Sequence, residues 1–313
     1  MTRNQNAFRA SGRQLLTLVF AAVAGTGIAL AQPRERGTPP EEYVLAGQRA
    51  MEWTSRFVAL GNRPAGSAQL RRQAEMIVEN LDRLSCTVEV DRFVAATPNG
   101  AKPMRNIVAR FGAGSDRPVV VISGHYDTIA APAFVGANDG GSSAALLMVL
   151  AERFDRAGQE GVWLAFFDGE EAVVEWNDGD HTYGSRRLAR RWAADGTVSR
   201  ISALINVDMI GDRDLDVLYE GNSDAALRRE VWDIASALGY AAEFGANLGY
   251  VQDDHVSFLE VGVPSLNLID FNYGPRNSYW HTPRDSMDKL SERSFAIVLH
   301  VLEVFIKRRN SAQ

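Results

Sequence analysis

The sequence predicts a single α/β domain built as a three-layer sandwich, with a twisted, mostly parallel central sheet between layers of helices. Two observations carry this. Short apolar, β-branched runs alternate along the chain with segments of helical periodicity, the pattern of strands joined by crossover helices. Runs such as VVVISG (119–124) and VWLAFF (162–167) hold almost no polar residues, as strands buried on both faces must. A third observation turns the fold toward function: the runs end in SGHYDT, FDGEE and NVDMIGD. In open parallel sheets, ligands sit at the carboxyl ends of the strands.

Taken in order, the elements begin with a candidate export leader. Arg3, Arg9 and Arg13 precede an apolar run over 15–30, and Ala29-Leu30-Ala31 offers the small residues a signal peptidase reads. Residues 1–31 are therefore expected to be removed, giving a secreted or periplasmic protein with no stable membrane association. Left uncleaved, the run would be a membrane anchor, although Gly25, Thr26 and Gly27 interrupt it. Cleavage leaves 313 − 31 = 282 residues, enough for one large domain with a substantial core. The Pro- and Glu-rich stretch that follows makes 32–44 a flexible segment by expectation.

From 41 to 83 the pattern is mostly helical, with Met76, Ile77, Leu81 and Leu84 at spacings of one, four and three. Strands are expected at TVEV (87–90), NIVARF (106–111), RPVVVISG (117–124), VWLAFF (162–167), ISALINVDM (201–209), LDVLYE (215–220) and PSLNLI (264–269). Helices are expected near 142–154, 184–193, 224–238 and 291–307. With 33 Lys and Arg against 39 Asp and Glu, the net charge of −6 offers no nucleic-acid surface. Arg186, Arg187, Arg190 and Arg191 have helical spacing and read as a solvated helix face. Cys86 is the only cysteine, so no intrachain disulfide staples the fold.

Five residues at strand ends or in adjoining loops carry the chemistry: His125, Asp139, Glu171, Asp208 and His281. Each alone has an ordinary structural reading, such as Asp139 capping the helix that starts near Ser142. Together they are two imidazoles and three carboxylates, a nitrogen and oxygen set suited to zinc, with carboxylates able to bridge two ions. Glu170 and Glu171 are neighbours whose side chains diverge. If Glu171 binds metal, Glu170 is left beside the cation to accept and donate protons.

The motifs GHYDT, GANDGGS, FDGEEA, NVDMIG and WHTPRD resemble the metal sites of the M28 clan of zinc aminopeptidases, from about Asn106 to the C-terminal helix. FDGEEA followed by Trp176 and YGSRRLA, with VQDDHVSFLEVGVPSLNLI followed by YWHT, is similar to the glutaminyl-peptide cyclotransferases of animal type. The resemblance implies a zinc aminopeptidase-like fold, with a catalytic domain over 45–313. It also implies one zinc on Asp139, Glu171 and His281, with Glu170 as general acid/base and Asp208 and Asp253 in its hydrogen-bond network. Trp176, Gln252, Asn267 and Trp280 would contact the substrate, a peptide or protein with N-terminal glutamine, which is converted to pyroglutamate with release of ammonia. Read as an aminopeptidase instead, the chain would hold two zinc ions, the second on His125 and Asp208, and release N-terminal residues. One departure stands out: where the cyclotransferase pattern has a histidine, this chain has Asn267, which exchanges hydrogen bonds but carries no charge.

Overall fold

A computed structural model describes residues 37–112 and 117–311. The expected leader, 1–31, lies outside the described residues. Helix α1 (Glu41–Val58) buries Tyr43, Ala46, Ala50, Trp53 and Phe57, three to four residues apart, so one stripe faces the core. The expected flexible segment ends sooner than residue 44: Gly37 N donates to Gly239 O, and residues 41–44 are the first turn of α1. Helix α2 (Ala68–Leu81) starts at Ser67, whose side chain accepts from Leu70 N. The helical stretch 41–83 is thus two helices, divided by a turn through Gly61, Pro64 and Gly66.

Strands β1 (Thr87–Thr97) and β2 (Gly100–Phe111) form an antiparallel hairpin longer than the runs TVEV and NIVARF, because half-exposed residues continue the pairing. Then follow β3 (Val119–His125), α3 (Gly141–Ala157), β4 (Val162–Phe167), α4 (Tyr183–Ala194) and β5 (Ile201–Asp208). Next come β6 (Val217–Glu220), α5 (Ala225–Ala237), β7 (Phe244–Gly249), α6 (Asp254–Leu259), β8 (Ser265–Ile269) and α7 (Glu292–Ser311). The main sheet has the order β1-β2-β4-β3-β5-β8, antiparallel up to β4 and parallel from there. The run LDVLYE does form a strand, β6, but it pairs with β7 in a separate two-stranded sheet.

All residues of β3, β4 and β8 are buried. Val120 and Ile122 face one core with Leu146, Leu150 and Phe295, while Val119 and Val121 face a second with Leu188, Trp192 and Phe258. Each such aliphatic side chain contributes on the order of 1.5–3 kcal/mol by leaving water. Register aligns the strand ends: His125 lies beside Phe167, and Asp208 beside Ile269. The residues that follow β3, β4, β5 and β8 therefore converge at one edge of the sheet.

Candidate active site

At that edge lies a cavity of about 490 Å3, lined among others by Asp139, Glu170, Glu171, Asp208, Asp253 and His281. Trp176, Gln252 and Trp280 also line it, so nine of the eleven residues singled out from the sequence share one cavity. His125 and Asn267 do not; both are fully buried behind its wall. Local backbone explains several placements. Gly140, with φ 79°, opens α3 directly after Asp139, and a Cβ there would lie 2.2 Å from Asp127 O. His281 has φ 54°, and its ring stacks on Trp280 with centroids 4.0 Å apart.

Two groups of side chains could each hold an ion, and Asp139 belongs to both: Asp139, Glu171 and His281, and His125, Asp139 and Asp208. His281 Nε2 is 3.2 Å from Asp139 Oδ2 and 3.3 Å from Glu171 Oε1. Ligands about 2.1 Å from a tetrahedral zinc stand roughly 3.4 Å apart, so these spacings fit one ion. Asp139 Oδ2 and Glu171 Oε1 are buried without a hydrogen-bond partner among the described residues, an arrangement that costs free energy unless a cation satisfies them. The second group differs, since His125 Nε2 and Asp208 Oδ1 are hydrogen-bonded to each other at 3.1 Å.

The electrostatics agree with a cation site. Burial pushes the Glu170 carboxyl well above the ordinary glutamate value, with Asp253, Glu171 and Asp254 adding to it and His125 opposing it. Burial and Asp139 raise Glu171 to about 8, and burial raises Asp208 to about 6. Burial works against charge on His281, yet Asp139 and Glu171 outweigh it and lift the imidazole to about 10. Acids this crowded hold protons when nothing else supplies positive charge.

Several supports were not singled out from the sequence. Asp127, buried, accepts from Glu170 N at 3.1 Å and Glu171 N at 3.3 Å, which fixes the turn carrying both glutamates. Asp285 does the same for Asn138 N at 2.8 Å and Asp139 N at 3.1 Å, and accepts from Tyr273 Oη at 2.8 Å. Both acids stand inside quoted motifs, GHYDT and WHTPRD, so a signal was present. Arg63 is fully buried and donates to the carbonyls of Phe57, Gly61, Val135 and Gly136, tying down the loop that leads to Asp139.

Two expectations need correction. Asn267, expected to touch substrate, is sealed in the middle of β8, where it donates to Asp253 Oδ2 at 2.6 Å and accepts from Asn206 Nδ2 at 3.1 Å. Asn206 also donates to Asp253 Oδ1, and Ser123 Oγ donates to Asn206 Oδ1. Asn267 thus supports Asp253 and forms no part of the cavity wall. The arginines of α4 are not simply solvated: Arg187 and Arg191 pair with Asp91, and Arg191 with Glu89.

A carboxylate- and imidazole-lined cavity at the carboxyl edge of this sheet, with side chains in its wall that could hold an ion, is the candidate active site of an α/β enzyme. The chain belongs to Peptidase family M28, which it matches over residues 106–306. It is similar to the glutaminyl-peptide cyclotransferase of Drosophila melanogaster, 30% identical over 72% of this chain and 72% of that protein. The structure of a glutaminyl cyclase from an Acidobacteriales bacterium is 34% identical with a TM-score of 0.81, covering 90% of this chain and 98% of that one. A zinc-dependent exopeptidase from Parabacteroides distasonis, 24% identical with a TM-score of 0.74 over 84% and 98% of the two chains, shares the fold.

Proposed function

We propose that this protein is a zinc-dependent glutaminyl-peptide cyclotransferase that converts N-terminal glutamine of peptides or proteins to pyroglutamate and releases ammonia. It is supported by relatives bearing that name and above all by one observation: the donor atoms of Asp139, Glu171 and His281 converge without hydrogen-bonding, while Glu170 stands free beside them in the same cavity. Zinc held by that trio would supply a Lewis acid to the γ-carbonyl oxygen of the glutamine. Glu170 takes a proton from the substrate's α-amine as its nitrogen bonds to the carbon of that carbonyl, Cδ, and returns one to the departing amide nitrogen as the Cδ–N bond breaks and ammonia leaves. Asp253, held by Asn206 and Asn267, adds to burial in raising the affinity of Glu170 for the proton it takes, while Asp208 is held by His125 in the same cavity wall. Trp176 and Trp280 orient the side chain and limit competition from water.

The second trio favours another reading, a two-zinc aminopeptidase with His125 and Asp208 as ligands of the second ion. Against it, His125 does not line the cavity and is already bonded to Asp208. Residues 45–313 would be the catalytic domain, and removal of 1–31 would deliver it outside the cytoplasm. Among the described residues no helix is long and apolar enough to cross a membrane. Mass spectrometry of a glutaminyl and a leucyl peptide incubated with protein and zinc tests the reading. Loss of one ammonia from the first alone supports it; release of a free N-terminal residue from either would replace it with the aminopeptidase.

A further inference from the structure

The small sheet of β6 and β7 leads directly into one wall of the cavity. Strand β6 ends at Glu220, opposite Gly249, the last residue of β7, and Gly221 N donates to Gly249 O at 2.7 Å. From there the chain runs through Val251, Gln252 and Asp253, all of which line the cavity. Strand β7 itself gives this loop little support, since residues 246–248 are exposed. Something else must fix Gln252 and Asp253.

Glu220 does so from behind the wall. Its fully buried carboxylate accepts at Oε1 from Val251 N at 3.0 Å and Asn222 N at 2.9 Å, and at Oε2 from Ser223 N at 2.7 Å and Ser223 Oγ at 2.6 Å. His255 Nε2, on α6, lies 3.2 Å from the same Oε2. Gln252 and Asp253 therefore stand between two points tied to one side chain, Val251 before them and His255 after. A third route runs through Ser223 Oγ, which accepts from Asn267 N at 3.0 Å, the residue whose amide holds Asp253.

A buried carboxylate is costly unless its oxygens are satisfied. Here burial works against the charge, yet His255, Ser223 and the backbone amides of Asn222 and Val251 outweigh it and hold the carboxyl at about 2. Glu220 is thus an acceptor only, and its donors come from three separate segments that it fixes relative to one another. Glu220, Ser223 and His255 all lie outside the described lining of the cavity. Any effect they have on the reaction passes through the loop.

We propose that Glu220 is a positioning residue for the reaction: by gripping Val251 on one side and His255 on the other, it sets where Gln252 and Asp253 stand in the cavity. This deepens the cyclotransferase reading and rests on it. Misplacing a reacting or orienting group by about 1 Å can cost up to ~10²-fold in rate, so a fault at Glu220 is read out at the chemical step. Glutamine in its place keeps the shape but turns one oxygen into an NH2 donor. Whichever way that amide points, at least two of the donors lose their acceptor.

The test measures kcat and KM for ammonia release from a glutaminyl peptide at saturating zinc, well below the melting temperature of each protein, so that every molecule is folded. Wild type is compared with Glu220→Gln, the milder Ser223→Ala, and Arg153→Met, which breaks the pair with Glu303 between α3 and α7, away from the cavity. Glu220→Gln lowers kcat by about tenfold or more, with KM within about threefold and zinc stoichiometry unchanged. Ser223→Ala, which removes one hydrogen bond from Oε2, lowers kcat by roughly threefold. Arg153→Met melts earlier but keeps the wild-type kcat. A lowered Tm with wild-type kcat in Glu220→Gln would make Glu220 merely structural and overturn the proposal; if that variant does not fold, the same result in Ser223→Ala overturns it. An equal loss of kcat in Arg153→Met would overturn it too, by showing that kcat follows stability. No ammonia from wild type would overturn the cyclotransferase reading and the positioning role with it.

Discussion

Replacing Asn267 by leucine removes the polar centre of β8 while keeping the number and branching of its side-chain heavy atoms, and the cost can be worked from the contacts. Asn267 Nδ2 donates to Asp253 Oδ2 at 2.6 Å, and a hydrogen bond to a charged group contributes about 1.5–3 kcal/mol. The bond from Asn206 Nδ2 to Asn267 Oδ1 at 3.1 Å adds about 1 kcal/mol, reduced because Asn206 keeps its second acceptor, Asp253 Oδ1, at 3.2 Å. All three groups are buried, so water does not replace what is lost. Asn267→Leu should therefore destabilise the domain by roughly 2–3 kcal/mol, which in a domain of this size lowers Tm by about 3–5 °C. Because Asp253 borders the cavity beside Glu170, its loosening should also lower kcat by about tenfold or more, with KM less affected. Urea or thermal unfolding together with initial rates of ammonia release measures both effects. A variant that melts within about 1 °C of wild type and turns over normally would refute the claim that Asn267 holds Asp253. Restoring the histidine of the family pattern, Asn267→His, should be tolerated poorly as well, since a ring in a fully buried site overpacks it by about 1–3 kcal/mol.

Other outcomes follow from the same geometry. Glu170→Gln should reduce kcat by about 10²–10⁴-fold while leaving zinc affinity nearly unchanged, since Glu170 belongs to neither ligand group; rates and zinc stoichiometry check it. Glu171→Gln should instead lose zinc, and zinc at 100 times its Kd should stabilise wild type by about 2.7 kcal/mol and this variant far less, as read from thermal melts. Burial pushes the Asp270 carboxyl from its ordinary 3.8 up to about 7 in the folded protein. The native state thus holds that proton more tightly than the unfolded chain, so the associated stability is complete below pH about 4 and is lost as pH rises through about 7, up to ~4 kcal/mol. Between pH 4 and 7 the unfolding free energy of Asp270→Asn should fall less steeply than that of wild type, and parallel curves would disprove the assignment.

Much of this architecture could be read before any coordinates, because its central strands are buried on both faces and so write themselves as unbroken apolar runs. The ligand candidates were legible for a chemical reason: His125, Asp139, Glu171, Asp208 and His281 are costly to bring together unless a cation repays them. What stayed hidden depends on contacts distant in sequence. Strand β7, FGANLG, has no alternation to betray it and exists through pairing with β6. Arg63 sits in a turn whose local sequence says nothing of Val135 and Gly136, the carbonyls it binds about seventy residues away. Asn267 announced a departure from pattern, but only the register of β8 against β5, which places it beside Asn206, reveals what the amide does. His255 stands two residues after Asp253 in sequence but does not hold it; with Asp253 as the cap of α6, the helix carries His255 away to Glu220, 3.2 Å from its Nε2.

The central claim is that Glu170 works beside one zinc held by Asp139, Glu171 and His281, and the most direct test is to titrate metal-stripped protein with zinc while following ammonia released from a glutaminyl peptide. The account predicts activity that rises linearly and stops at one equivalent, and that never appears in Glu170→Gln. Activity that waits for a second equivalent, or a free N-terminal amino acid as the product, would contradict it and make His125 and Asp208 ligands of a second ion.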